Sequence, residues 1–283
     1  MKILSFDIED WFHILDNPET SSPESWENMP SRLESGVDRI LSLLNDTNQP
    51  ATFFCLGWIA EKYPQVIRKI IENGHHIATH SYTHQLAYNQ SENQFRDDLW
   101  KSIDILQQVS GKKIDTYRAP GFSITKKNLW AFEVLHNLGI ENDCSVFPAS
   151  RAHGGIPEYS AACPSLIKYE NITLNSLPIN TAKMLGKNVV YSGGGYFRLL
   201  PLWYLRRRFN KDDYIMTYFH PRDFDPQQPM VPGLGISRKF KSYVGLSGAY
   251  KKLEFLLKEH QFINVDMAVE SVNWNNVDKV VLK

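Results

Sequence analysis

Residues 51–84 read ATFFCLGWIAEKYPQVIRKIIENGHHIATHSYTH. Residues 51–56 are apolar and rich in β-forming side chains, and a glycine stops the run, which predicts a buried strand. Residues 59–72 carry apolar side chains at helical spacing, and Gly74 beyond them is typical of a helix C-terminus. Residues 76–79 predict a second short strand. A strand, a helix and a strand in this order indicate a βαβ unit with parallel strands.

The same alternation continues on both sides of this stretch. Further strands are predicted at residues 3–6, 115–118 and 214–219, and further amphipathic helices at 32–45, 91–109, 128–138 and 249–260. Residues 148–178 have little periodicity and predict long loops or a short hairpin. The pattern indicates an α/β fold around a parallel sheet. We expect a single domain over residues 1–283, in which 226–283 form a peripheral loop, helix and tail.

Two histidines and three carboxylates lie at the ends of predicted strands. His80 and His84 are four residues apart, a spacing that lets two imidazoles converge on one metal ion. Asp7, Glu9 and Asp10 end the first strand, where three acids are costly unless they are solvated, paired or metal-bound. One carboxylate beside the two histidines would leave an open position for water, as hydrolytic zinc sites require. The alternative interpretation is an exposed loop with a helix-capping aspartate, and histidines that cap helices or bond to loop backbone.

Composition excludes several functional classes. Lys+Arg and Asp+Glu both number 31, so the zero net charge gives no global attraction for nucleic acid or an acidic membrane. The N-terminus becomes acidic after six residues and no apolar run reaches membrane-spanning length, so we expect a cytoplasmic protein without signal peptide. The three cysteines show no paired spacing and are expected to be buried thiols.

Several motifs in a fixed order resemble the polysaccharide deacetylases of carbohydrate esterase family four. The matching segments are 51–64, 74–84, 117–122 and 219–221, so the resemblance spans roughly residues 1–225. It implies a distorted, incomplete (β/α)7 barrel and a divalent ion, usually zinc, with cobalt, manganese or nickel as alternatives. It also implies that His80 and His84 are metal ligands, that Arg118 orients the catalytic carboxylate, and that His220 is the general acid.

The first motif departs from the family pattern of Thr-Phe-Asp-Asp-Gly. Here the sequence is Ser-Phe-Asp-Ile-Glu-Asp-Trp over residues 5–11, so Ile8 stands where the second aspartate is expected. Either Asp7 is the base and Asp10 (or Glu9) turns back to the metal, or Glu9 and Asp10 act as the pair. We favour Asp7 as base and Asp10 as metal ligand, with Glu9 kept among the catalytic candidates.

A second group of residues is assigned to substrate binding. Pro120 and Gly121 lie in the segment similar to the family's Arg-Pro-Pro-Gly motif. Tyr196, Phe197 and Arg198 follow the glycine triplet 193–195, in a variant form that looks like a subgroup of exopolysaccharide and surface-glycan biosynthesis.

The sequence thus predicts a metal-dependent N-deacetylase that acts on an N-acetylhexosamine unit of a polysaccharide, oligosaccharide or glycan precursor. One alternative is an amidohydrolase or deformylase with a small, non-polymeric substrate. Another is a non-catalytic glycan-binding relative on the same scaffold. We expect a carbohydrate partner and no nucleic acid, and the sequence does not specify the oligomeric state.

Overall fold

Short parallel strands form the centre of the protein, with helices packed around them. The computed structural model describes residues 1–150, 153–159, 162–184 and 186–283. The strands are β1 (Lys2–Ile3), β2 (Ser5–Ile8), β3 (Thr52–Cys55), β4 (His76–Thr79), β5 (Thr116–Tyr117), β6 (Asn142–Asp143), β7 (Ser165–Tyr169), β8 (Ile172–Ser176), β9 (Ala182–Met184), β10 (Lys187–Val189), β11 (Ile215–Met216) and β12 (Asp278–Leu282). The helices are α1 (Pro23–Trp26), α2 (Leu33–Thr47), α3 (Gly57–Lys62), α4 (Pro64–Glu72), α5 (Glu92–Ser110), α6 (Ala131–Asn137), α7 (Gly194–Leu199), α8 (Leu202–Lys211), α9 (Ile236–Tyr243), α10 (Leu246–Glu259) and α11 (Val265–Ser271).

The order of the central strands follows the chain. β2 pairs with β3, β3 with β4, β4 with β5, β5 with β6, and β6 with β8, each pair in parallel. β11 pairs in parallel with β1, and the chain after β11 returns to β2, where Phe219 bridges Phe6. In the described part of the chain, β8 does not pair with β11. At this gap in the barrel, the buried Asn180 side chain accepts a hydrogen bond from the Met216 N–H of β11. The strands therefore close into a distorted, incomplete (β/α) barrel, which confirms the predicted fold class.

Local sequence explains where the helices begin and end. At the start of α5, the Ser91 hydroxyl accepts from the Gln94 N–H and the Gln94 side chain accepts from the Ser91 N–H. Such a capping box satisfies two backbone donors that a helix start leaves free. The single helix predicted at 59–72 is in fact two, because Pro64 cannot continue α3 but suits the first turn of α4.

The C-terminal region is part of the core, in contrast to the predicted peripheral position of residues 226–283. Leu253 and Leu256 of α10 are buried in the main hydrophobic cluster, and β12 pairs with β7 at the edge of the sheet. The Gln49 side chain donates to the backbone carbonyls of Leu257 and His260, which fixes the end of α10 against α2. Apolar burial and backbone pairing both bind this region to the barrel.

Residues 148–178 were predicted to form long loops or a short hairpin, and the structure contains a hairpin there. β7 and β8 pair in antiparallel register, from Ser165 opposite Ser176 to Tyr169 opposite Ile172.

Within the described part of the chain, no helix combines the length and the apolar character needed to cross a membrane.

Candidate active site

Four predicted site residues meet at the carboxyl ends of the central strands. Asp7 lies in β2, His80 follows β4, Arg118 follows β5, and His220 follows the segment after β11. The side chains of Asp7, His80 and Arg118 are buried, whereas that of His220 is 20% exposed. Parallel strands that run side by side end at one edge, so residues far apart in sequence converge there.

Glu9, not Asp10, lies against the two histidines. Its Oε1 atom is 3.1 Å from His80 Nε2 and 2.9 Å from His84 Nε2. One ligand atom from each of these three residues lies within 4.8 Å of the other two. Burial alone would raise the pKa of the Glu9 carboxyl, but His84, His220 and His80 hold it well below its usual range. Glu9 is therefore an ionised carboxylate in the position that the sequence analysis gave to Asp10.

Asp10 instead caps the backbone that leads into α2. Its Oδ2 atom accepts from the Ser31 hydroxyl at 2.5 Å and from the Arg32 N–H at 3.1 Å, and Oδ1 accepts from the Trp11 N–H. These donors occupy the carboxylate, so the structure does not bring the predicted ligand Asp10 to the two histidines. Asp10 is also buried, so the exposed loop of the alternative interpretation is not present here either.

The backbone around His84 is held in an uncommon conformation. Ser81 and His84 both have positive φ angles, 69° and 52°, which non-glycine residues adopt only when their surroundings require it. The Asp98 carboxylate of α5 accepts from the N–H groups of Tyr82 and Thr83 and from the Thr83 hydroxyl. The half-buried Asp98 carboxylate therefore fixes the tight loop that presents His84.

The orientation of the His80 ring is set by its backbone contact. Its Nδ1 atom is 2.7 Å from the carbonyl oxygen of Arg118, and a carbonyl can only accept a hydrogen bond. Nδ1 therefore donates to that carbonyl, and the other ring nitrogen, Nε2, faces Glu9. A carboxylate and two imidazole nitrogens held in this way suit a divalent ion such as zinc, so the residues present fit the metal that the family implies.

Asp7 and Arg118 form a buried ion pair beside this cluster. Arg118 Nη1 is 2.6 Å from Asp7 Oδ1, and both side chains are almost fully inaccessible to solvent. The Arg118 guanidinium lies over the Phe54 ring, with 3.9 Å between its Cζ atom and the ring centroid. A guanidinium held in this way fixes the orientation of the carboxylate to which it donates.

His220 is held by an acid that the sequence analysis did not identify. Its Nδ1 atom is 2.9 Å from Asp223 Oδ2, and Arg198 Nε is 3.0 Å from the other oxygen of Asp223. The His220 Nε2 atom faces the site, 3.9 Å from Asp7 Oδ2 and 3.8 Å from Glu9 Oε1. Burial alone would lower the pKa of His220, but Glu9, Asp223 and Asp7 raise it to about 9.

Asp7, the Glu9–His80–His84 cluster and His220 line one cleft with a volume of about 720 Å³, and Arg118 lies behind Asp7 without lining it. Among the residues predicted to bind substrate, Gly121 and Arg198 line the cleft. Phe197 is fully buried and packs edge-on against Phe219, so it supports the cleft from below and cannot contact substrate. Pro120 is also buried, and Tyr196 is 37% exposed at the surface but is not part of the lining.

Two further residues of the site had only weak sequence signals. Asp223 lies three residues after His220, a spacing that allows a hydrogen bond across a 3₁₀ turn. His13 lines the cleft with its Nδ1 atom accepting from the Asp10 N–H, and burial lowers its pKa well below the usual range. In both cases the sequence signal was a polar residue three positions after a candidate site residue: Asp223 after His220, and His13 after Asp10.

Comparisons with known proteins show which families and folds the chain resembles. A family model described as polysaccharide deacetylase matches residues 24–142, and a model described as a domain of unknown function (DUF3473) matches residues 144–270. The chain is 35% identical over 96 residues to a peptidoglycan-N-acetylglucosamine deacetylase of Bacillus cereus, which covers 34% of this chain and 35% of that protein. It is 31% identical over 87 residues to a peptidoglycan deacetylase of Helicobacter pylori, covering 31% and 30%. The aligned part thus spans about a third of the length of these relatives.

Solved structures share the fold over nearly the whole chain. A candidate polysaccharide deacetylase from Mycobacterium smegmatis has a TM-score of 0.67 at 20% identity, covering 99% of this chain and 92% of that one. A pseudoenzyme of carbohydrate esterase family four from Bacillus anthracis has a TM-score of 0.51 at 13% identity, covering 94% and 64%. Residues 24–142 therefore resemble polysaccharide deacetylases in sequence, and nearly the whole chain shares the fold of the solved structures named here.

Proposed function

We propose that this chain is a metal-dependent N-deacetylase that hydrolyses the acetamide of an N-acetylhexosamine unit in a glycan. The observation that carries the proposal is the meeting, in one cleft, of the Glu9–His80–His84 cluster with the Asp7–Arg118 pair and His220. An amide hydrolase needs an electrophilic centre, a base and an acid at one place, and these three groups can supply them.

Each protein group has a separate task in this reaction. Glu9, His80 and His84 would hold the divalent ion, zinc being the best match to a His/His/carboxylate set, and the ion would polarise the acetyl carbonyl and activate water. Asp7 takes the proton of the attacking water. Arg118 orients Asp7, because it donates to one carboxylate oxygen and leaves the other free.

His220 completes the reaction on the side of the leaving group. Its Nδ1 atom is tied to Asp223, so Nε2 is the atom that faces the cleft and can protonate the departing amine. Protonation matters because an amine leaves poorly as an anion. The hydrolysis forms free acetate and an amino sugar, and it consumes one water.

The substrate class follows from the relatives. Those named above are peptidoglycan deacetylases, and a chitooligosaccharide deacetylase of Sinorhizobium fredii is 42% identical over 45 residues, which is 16% of this chain and 21% of that protein. Their names support an N-acetylglucosamine-type sugar as the reacting unit. The Gly193–Arg198 motif supports the narrower proposal of a role in the synthesis of exopolysaccharide or another surface glycan.

Acetate release tests the proposal. The purified chain, loaded with zinc or cobalt, should release acetate from N-acetylglucosamine oligomers, and Asp7→Asn should remove most of this activity while it still binds metal. A protein that binds metal tightly but releases no acetate from any N-acetylhexosamine substrate would instead be a non-catalytic glycan-binding relative. Acetate or formate release only from small non-sugar amides would favour the amidohydrolase alternative.

A further inference from the structure

Arg222 lines the active-site cleft without an ionic partner. It lies two residues after His220 in the 3₁₀ turn Pro221–Phe224. Within the described residues, its guanidinium forms no ion pair within 4.0 Å, and its buried Nη2 atom has no hydrogen-bond acceptor. Its contact with the Tyr243 ring is loose, with 5.9 Å between Cζ and the ring centroid.

The nearby acids are already engaged. Asp223 is shared by His220 and Arg198, and Glu9 is shared by the two histidines of the metal cluster. The next acid along the chain, Asp225, pairs with Arg32. A cation enclosed by protein with no free carboxylate beside it is costly, so an anion from outside would be bound favourably at this point.

Helix α9 adds two further cations to the same cleft. Arg238 and Lys241 both line it, and Lys241 forms no ion pair in the described part of the chain. Arg238 pairs only loosely with Asp16, at 3.6 Å. The sequence around α9 is one-sided, because residues 226–253 contain five basic and no acidic side chains in a chain whose total charge is balanced.

The basic groups lie on the sugar side of the reaction. Arg198 donates to the backbone carbonyls of Lys241 and Ser242, and the same guanidinium holds Asp223, which in turn holds His220. In the proposed function, His220 protonates the nitrogen that remains on the sugar. Lys241 is joined through Arg198 and Asp223 to His220, so in the proposed function it lies on the side of the sugar rather than of the departing acetate.

We propose that Arg222 and Lys241, with Arg238 beside them, form an anion-binding subsite that selects an acidic glycan. Its ligand is a carboxylate or phosphate on the acetamido sugar or on the adjoining residue. The inference rests on the proposed function, since it takes the cleft to be the place where the sugar binds. Guanidinium and ammonium groups that converge in a partly enclosed cleft recognise such oxyanions strongly.

Matched substrates test this subsite. One pair is a tetrasaccharide of alternating glucuronic acid and N-acetylglucosamine and the same compound with its carboxyl groups reduced to alcohols. A second pair, N-acetylglucosamine 1-phosphate and methyl N-acetylglucosaminide, distinguishes phosphate from carboxylate. We expect at least one acidic member to have a kcat/KM about tenfold higher or more at low salt, with a smaller difference at high salt.

Variants locate the effect on the proposed residues. Arg222→Met and Lys241→Met should each reduce the preference for the acidic member several-fold and change the rate on the neutral member little. Lys239→Met is the matched control, because Lys239 is an exposed cation of the same helix that does not line the cleft. Lys241 is exposed, so its variant remains informative even if Arg222→Met fails to fold.

Binding to the Asp7→Asn protein separates the subsite from catalysis. If acetate is released equally from acidic and neutral members, or if the preference survives both variants, the subsite is refuted while the deacetylase stands. If no acetate is released but the acidic members bind Asp7→Asn more tightly, and Lys241→Met removes the difference, the subsite stands and the proposed activity fails. Neither release nor preferential binding refutes both.

Discussion

Exchanging Glu9 for glutamine changes one oxygen to an amide nitrogen and removes the charge that faces His80 and His84. The side chain keeps its shape, but the negative charge that lies 2.9–3.1 Å from the two Nε2 atoms is lost, and a neutral amide is a much weaker ligand for a divalent ion. Changes to residues that only support a metal ligand cost about 10–100-fold in affinity. Loss of the charged ligand itself should weaken metal affinity by at least the upper end of that range, about 100-fold, which is roughly 2.7 kcal/mol of binding free energy.

Asp10→Asn is the matched comparison, because Asp10 is the neighbouring buried acid. Its Oδ2 atom accepts from Ser31 and Arg32, so an amide nitrogen there leaves donors facing a donor. We expect a loss of about 1–3 kcal/mol in the free energy of unfolding, the usual cost of an unsatisfied buried polar group. Metal affinity should change little.

Thermal or chemical unfolding with and without zinc measures both effects. At a free zinc concentration of about 100 times the wild-type Kd, binding stabilises the wild-type protein by ~2.7 kcal/mol. A variant with 100-fold weaker binding gains only about 0.4 kcal/mol under the same conditions. Glu9→Gln should lose most of the zinc-dependent gain, whereas Asp10→Asn should be less stable but keep the gain. The reverse pattern would show that Asp10 is the ligand and would refute the assignment of Glu9.

Three other substitutions test two further residues of the site and the buried acid Asp143 of β6. Asp7→Asn should retain zinc and lower kcat by about 10²–10⁴-fold, the range for loss of a general base; a loss of less than tenfold would remove Asp7 from that role. Asp223→Asn should lower kcat for acetamides by about tenfold or more but spare p-nitrophenyl acetate, whose leaving group needs no proton; an equal loss on both substrates would indicate only a structural role for Asp223. Burial raises the pKa of Asp143 to about 6, so the folded protein binds this proton more tightly than the unfolded chain, and stability falls as pH rises from about 4 to 6. Relative to Asp143→Asn, the wild-type protein should lose up to about 3 kcal/mol across that window in unfolding titrations, and identical pH profiles would contradict the shift.

The barrel could be predicted from sequence because its signals are local. The alternation of short apolar runs and amphipathic helices predicted β2, β3, β4, β5 and the strand at β11 in order. The parallel strands β6 and β8 were not predicted, because β6 has two residues only and β8 lies in a stretch with little periodicity. The peripheral placement of residues 226–283 failed for a different reason. The burial of α10 depends on contacts with residues such as Gln49, about 200 positions away, and a single sequence does not contain such pairings.

The departure of Asp10 from its predicted place had a local cause that the sequence did contain. Asp7 and Glu9 are two residues apart around Ile8, which is fully buried on the opposite side. In extended backbone, side chains two residues apart share a face. The family pattern has adjacent aspartates, and it favoured Asp10 over Glu9 here. The two-residue repeat of extended backbone puts Glu9 on the same face as Asp7 and Asp10 on the opposite face. The longer glutamate then reaches the histidines from a position one residue later than in the family motif.

The two matched regions of the chain supply different halves of the candidate site. The deacetylase region contributes His80, His84 and Arg118, while His220 and its support Asp223 lie in the region of unknown function. Arg198 links that support to α9, and Lys252 of α10 donates to the Arg198 carbonyl.

A close backbone approach adds to this link. Gly245 has a φ angle of 73°, and a side chain there would lie 2.4 Å from the Arg198 carbonyl oxygen, so only glycine allows α9 and α10 to pack against α7 in this way. The C-terminal region thus fixes the position of the acid and of the cleft wall that faces the sugar. It follows that substrate choice within this fold can change through α9 while Glu9, His80, His84 and Asp7 stay the same.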